Sequence, residues 1–342
     1  MLCWFKSLIT RIPLPFVPTM LGICTLSAFY EGMGYPLIRW IAVICGCVTA
    51  VLYVSKIAFF FKGAIKQEYS NPMLAALYPT IAMLIEVLCA FFAPFAWWPC
   101  AIIFFTAFAL QWVHIVASAI RFFIKRFSWE TFLPSWYVTT HGVMISTVAG
   151  MMFMPDWLAQ FVVIWGIVLY VAMTPPIIHR MRCCEVKADM YHSQAIILGP
   201  CSLCAVSLVN VYADPNLIVL GLLYACVLAS LVWVFSHLPK FFSFGFKPGY
   251  AGMTFPMVVA LMATQKVTGL LSAAGLDTWA FWATQLAGVQ LVVTTVVIGV
   301  VASYFLHYFI AGVKKDAEDI RRSCTIQPTV EEATCCDMEN QG

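Results

Sequence analysis

Charged and apolar positions separate into long blocks along this chain. No Asp, Glu, Lys or Arg occurs from Val87 to Ile120, from Thr131 to Pro155, or from Thr278 to Val313. A helix needs about 20 apolar residues to cross the ~30 Å hydrocarbon core of a bilayer, so each block holds at least one span. Backbone groups in lipid must bond internally, which leaves helices or a closed barrel. Barrel strands alternate apolar and polar residues over about ten positions. Leu291–Ala302 is nearly continuously apolar instead, which selects helices.

Extended to the whole chain, the pattern predicts an all-α membrane protein with ten spans, near residues 13–30, 37–60, 72–92, 97–122, 134–153, 157–177, 191–211, 216–238, 250–275 and 279–312. The last is too long for one straight crossing. The connections alternate in character. One class is short and weakly acidic, marked by Glu31, Asp156, Asp214 and Asp277, with an uncharged turn at Phe91–Trp98. The other is longer and basic, with Lys56, Lys62 and Lys66, then Arg121, Lys125 and Arg126, then Arg180, Arg182 and Lys187, then Lys240 and Lys247. Of the 19 basic residues only Arg39 and Lys266 depart from this alternation. Cytoplasmic loops carry the Lys/Arg excess. Both termini are therefore expected on the cytoplasmic side of a plasma or inner membrane: residues 1–12 as the cytoplasmic N-terminus, 13–312 as the ten-helix transport domain and 313–342 as a polar, disordered cytoplasmic tail.

Composition sharpens the class. The chain is 62% hydrophobic and 10% charged, with mean hydropathy +0.89, against roughly 25% charged in soluble domains. Its lipid-facing surface would aggregate in water. The net charge of +3 reports topology and gives no reason to expect nucleic acid. No cleavable signal peptide is evident in the first residues. The 14 cysteines lie mostly in apolar spans. The pair Cys201/Cys204 shares one helix face, as packing residues or as a redox or metal pair. No metal cluster, P-loop or nucleophile elbow is found, so neither enzyme chemistry nor a cofactor is expected.

Proline distinguishes odd spans from even ones. Pro15 and Pro18 lie in the first, Pro79 in the third, Pro200 in the seventh and Pro256 in the ninth. The even spans carry proline at most at an end, and the fifth has only Pro134 at its entrance. A proline inside a helix removes a hydrogen bond and bends the axis, and the freed carbonyl is tolerated where protein or a wet cavity meets it. Kinked odd helices would then surround a conduit, with straight even helices outside, as five hairpins in pseudo-fivefold array. The alternative is that proline is merely commoner in membrane helices.

Three segments carry a resemblance. These are Ile12-Pro-Leu-Pro-Phe-Val-Pro-Thr-Met-Leu-Gly22, Pro134-Ser-Trp-Tyr-Val-Thr-Thr-His-Gly142 and Met253-Thr-Phe-Pro-Met257. In this order and in odd spans, they resemble the tellurite-resistance/dicarboxylate transporter family, which includes the plant slow anion channels. The resemblance covers roughly residues 10–312. It implies five helical hairpins around a central pore, a homotrimer, and passage of chloride, nitrate, sulfite or small carboxylates. It also implies that Phe255 plugs the pore. Many relatives carry a second proline in the fifth span where this chain has Thr139, so Gly142 would have to supply the bend there.

Candidate residues follow. Phe255 is a gate by resemblance and otherwise a packed aromatic. Gly22 and Gly142 let an anion approach the backbone, or let helices pack. Glu86 is an intramembrane carboxylate that must be paired, protonated or wet. With His141 it is a candidate for proton coupling in an alternative reading, a proton-coupled carrier for C4-dicarboxylates or for sulfite- or tellurite-type anions. Lys266 and Arg39 are expected near the outer face, attracting anions or snorkelling to the interface.

Overall fold

The structure is a computed structural model, and it describes residues 12–60, 63, 65–125 and 127–326, without the side chains of 123, 189 and 315–326. Lys6, Arg11, Lys62, Arg126 and residues 327–342 lie outside the described residues. The described chain is all-α, as the charge-free blocks require. Its main helices are α1 (Phe16–Gly32), α2 (Pro36–Phe60), α3 (Pro79–Phe92), α4 (Trp97–Ser118), α6 (Asp156–Cys183), α7 (Leu198–Val211), α8 (Leu217–Ser243), α9 (Thr254–Ala273) and α10 (Asp277–Ile326). Between α4 and α6 lies the broken α5, formed by Trp136–His141, a 3-10 turn Gly142–Met144, and Ile145–Ala149. Among the described residues eight helices are long and apolar enough to cross a membrane. The count of ten expected from the pattern is not reached by that measure. At 17 residues α1 spans about 25 Å, short of the ~30 Å core, and α5 is interrupted.

The odd segments form a closed ring. Helix α1 packs on α3, α3 on α5, α5 on α7, α7 on α9, and α9 returns to α1. Each even helix packs against the odd segment before it in sequence. Burial follows the same division. In the spans that contain α3, α7 and α9, 67%, 78% and 56% of the most apolar window is buried, against 28–39% in α2, α4, α6, α8 and α10. The even helices turn Ile41, Val48, Ile102, Val168, Val232 and Val292 outward as bare apolar surface. Such a surface belongs against lipid or another apolar surface rather than water.

Proline acts differently from the expected mid-helix kink. Pro79 is the first residue of α3, and Pro18, Pro200 and Pro256 are the third residues of α1, α7 and α9. The first four N–H groups of a helix have no intrahelical acceptor, so a proline there removes nothing. The bends are changes of helix type instead. The 3-10 segments Ala188–Ile197 and Pro248–Met253 lead into α7 and α9, and a turn after Pro72–Ala75 leads into α3. The contrast with even helices also weakens: α6 runs on to Cys183, so Pro175 and Pro176, expected at its end, lie inside it, and α8 extends past its expected end to include Pro239. Helix α10 likewise continues to Ile326, beyond the span end at 312 and into the segment expected as a disordered tail.

Lys56 also departs from the sequence reading. It is not a loop cation but a buried residue of α2, 1% exposed. Its ammonium donates to Glu68 Oε1 at 2.6 Å and to the Ile12 carbonyl at 2.8 Å. Tyr53 and Tyr78 hydroxyls donate to Glu68 Oε2 at 2.8 and 3.1 Å. The cluster ties the loop before α3 to the start of α1 and satisfies a charge that would otherwise be costly to bury.

Candidate functional site

Two cavities lie along the ring of odd segments. The larger, about 1010 Å³, opens at the end that carries the short loops. Its wall includes Thr25 of α1, Val87 of α3, Ile145 of α5 and Met262 of α9. The smaller, about 40 Å³, is lined by all five odd segments, including Pro18, Met83, Gly142, Gly199 and Phe255. All five run in the same direction, so the lining residues can be ranked by height. From the smaller cavity to the larger is three residues on α5, Gly142 to Ile145, and six on α9, Pro256 to Met262. At 1.5 Å per residue the closed stretch is about 5–10 Å long.

Close backbone contact makes this stretch tight. A Cβ on Gly22 would stand 3.1 Å from the Phe255 backbone N and 3.2 Å from Thr254 Cβ. Gly22 therefore lets α1 press against the start of α9, and its missing side chain opens toward a helix rather than a cavity. Thr254 fixes the same contact, donating to the Pro18 carbonyl at 3.2 Å and to Ala251 O at 2.7 Å. Gly142 lines the smaller cavity, but a Cβ there would meet Gln111 Oε1 at 3.1 Å and Met83 Sδ at 3.2 Å. The helix type changes at Gly142, so the fifth segment bends without a proline. Thr139, at the position where relatives carry one, donates to Ala76 O at 3.4 Å, beside the break that precedes α3. Pro79 does not line the smaller cavity; its Cβ lies 3.3 Å from the place of a Gly142 Cβ.

The cavities differ in charge. Arg39, Lys266 and Glu31 line the larger. Arg39 is held in the wall by Cys24 O, by Ser27 Oγ at 3.1 Å and by an ion pair with Glu31 at 3.6 Å, with its guanidinium 5.2 Å from the centre of the Phe91 ring. Lys266 is exposed and forms no ion pair among the described residues. The residues lining the smaller cavity carry no charge. The hydroxyls of Thr80 and Tyr137 there are already bonded, to Leu77 O at 2.6 Å and Thr174 Oγ1 at 2.7 Å.

The two titratable candidates lie elsewhere. Glu86 is fully buried on the α4 side of α3, accepting from Gln111 Nε2 at 2.6 Å, and lines neither cavity. Its Oε2 and the Gln111 Oε1 have no partner among the described residues. His141 turns to α6, with Nε2 3.1 Å from Gly166 O and Nδ1 2.9 Å from Thr140 Oγ1, and also lines neither. Cys201 and Cys204 are buried free thiols. Among the described residues no three His, Cys, Asp or Glu converge as a metal site. The partner Gln111 was readable as the lone amide in a charge-free block, but its register against Glu86 was not.

A ring of five parallel segments with a charged mouth and an uncharged waist suits the passage of an ion. The family comparison agrees. The model of the voltage-dependent anion channel family (SLAC1) matches residues 14–305. The chain belongs to this family. A search of curated proteins finds no match to it. The match begins before α1 and ends within α10, so every odd segment of this anion-channel family member lies inside it. It is therefore a multi-pass membrane protein of an anion channel and transporter family.

Proposed function

We propose that the chain passes small anions, of the chloride, nitrate, sulfite or C4-dicarboxylate class, through a central path that Phe255 gates. The path runs from the large cavity, through the closed stretch, into the small one at the level of Met83 and Phe255. Five hairpins, each an inner odd and an outer even helix, enclose it. One path per subunit of a homotrimer, in a plasma or inner membrane with both termini cytoplasmic, completes the reading. An apolar ring across a narrow path blocks ions because none of its atoms replaces lost hydration. Rotation of one side chain then opens the path.

The observation that carries this reading is the position of Phe255, which lines the small cavity where α9 presses against Gly22 of α1. Lys266 and Arg39 raise the anion concentration at the mouth. The channel reading is preferred to a proton-coupled carrier because Glu86 and His141 face α4 and α6, not the path. The test is electrical recording from purified protein in liposomes with chloride, nitrate, sulfite and malate. Phe255→Ala should raise anion current while cations stay excluded. Current in that variant equal to wild type would remove the gate assignment, and absence of anion flux in both would remove the reading.

A further inference from the structure

A groove of about 840 Å³ lies at the basic end of the molecule, away from the ring interior. Its walls are the ends of α6 and α8, and its floor is the 3-10 segment before α7, through Tyr191, Gln194 and Ile197. The volume is in the ~300–1,000 Å³ range of ligand sites. The cations at this end divide into two kinds. Arg180 is spent on the protein, donating to Trp129 O at 2.8 Å and Cys184 O at 2.9 Å, and Lys187 pairs with Glu130 at 3.4 Å. Arg182 and Lys240 both line the groove, both are exposed, and neither forms an ion pair among the described residues. Lys240 Nζ is held 4.8 Å from the centre of the Tyr191 ring, which aims it at the groove floor. One carboxylate, Glu185, shares the lining, and His237 stacks flat on Trp233 with centroids 4.4 Å apart.

Toward the bilayer the lining changes to Ile178, Ala229 and Ile197. Beyond it α6 and α8 expose Val171 and Leu222 at 64% and 67%. An occupant must therefore be anionic at one end and apolar along the other. A free phosphate meets the first condition only.

We propose that this groove binds an anionic glycerophospholipid, its phosphate between Arg182 and Lys240 and one acyl chain lying between α6 and α8. Basic pockets between helices at a membrane surface suit such headgroups. The floor gives the lipid a route to the path. Ile197 faces the groove, while its neighbour Ile196 lines the small cavity. An occupied groove braces that segment from behind. The site stands whether or not Phe255 is the gate.

The test uses the full chain released from mixed vesicles of phosphatidylglycerol and phosphatidylcholine with matched acyl chains, with retained lipids counted by native mass spectrometry. Wild type should keep phosphatidylglycerol preferentially. Each cation near a membrane surface contributes about a fivefold preference, so Arg182→Gln with Lys240→Gln should bring retention of the two lipids close to equal. Arg182→Lys with Lys240→Arg, which keeps both charges, should retain the preference and shows that a loss in the Gln variant is not misfolding. Ala229→Trp, which fills the apolar wall, should expel the lipid. Soluble glycerol phosphate should not compete. Equal retention of the two lipids by wild type would overturn the proposal, and so would competition by glycerol phosphate. A preference that survives both the Gln variant and Ala229→Trp would also overturn it. Loss of subunit assembly in Ala229→Trp with lipid retention intact would assign the groove to a second copy of the chain instead.

Discussion

The two cavities along the ring both draw on α1, α3, α5 and α9, the small one also on α7, and they differ in almost everything else. The large one holds about 1010 Å³ and contains Arg39, Lys266 and Glu31, whereas the small one holds about 40 Å³ and is uncharged. Under the proposed function, the charged, roomy mouth would concentrate ions and the uncharged waist would decide whether an ion passes, so attraction and exclusion would fall at different heights of the same helices. Variants at each height should change different observables.

The largest effect is expected at the waist. Phe255→Ala should raise anion current tenfold or more, since removing about 1.4 kcal/mol from a barrier is a factor of ten. Single-channel or flux recording reads this, and an unchanged current would remove Phe255 as the barrier at the waist. Gly22→Ala comes next. Its Cβ would meet the Phe255 and Thr254 backbone at 3.1–3.3 Å, so α1 and α9 must separate. Overpacking of this kind costs about 1–3 kcal/mol, seen as a lower melting temperature of the purified protein. At the mouth, Lys266→Ala should lower current by a factor of about two to five at low salt and have almost no effect at 1 M, where the Debye length falls to ~3 Å. A reduction independent of salt would mean that Lys266 binds the ion directly. Smallest of all, Glu86→Gln should leave current and its pH dependence unchanged, because the side chain faces Gln111 rather than either cavity. Loss of uptake driven by a pH gradient in that variant would restore the carrier reading.

Much of this architecture is legible in the chain itself. The charge-free blocks mark the helices, and the alternation of Lys/Arg-rich and short acidic connections separates the two ends. Proline opens first turns and does not kink, and it does so in even helices as well as odd ones, at Pro36 of α2 and Pro99 of α4 as at Pro79 and Pro256, so it does not by itself mark the odd segments. Pro18, Gly142, Pro200, Phe255 and Pro256 all line the small cavity, and Arg39 and Lys266 the large one. Gly22 and Pro79, which the sequence also marks, act instead in helix contacts beside the small cavity. The misses have a common cause. In water a buried helix face differs from an exposed one in polarity, so periodicity reveals its orientation. In lipid both faces are apolar, and the direction in which Glu86 or His141 points leaves no trace in the pattern. Lys56 misled for a related reason, since its loop position by charge count gave no sign of Glu68 and the two tyrosines that bury it.

From its sequence alone this protein is committed to a membrane, to an order of apolar helices and to a basic and an acidic end, because the cost of placing charge in hydrocarbon is large and local. Which odd segments close into a ring, where that ring narrows, and which polar side chains turn away from it were decided only by tertiary packing. Those choices rest on small differences in fit between surfaces that are all apolar, such as the bare Gly22 that admits the Phe255 backbone, and such fits exist only once the helices meet.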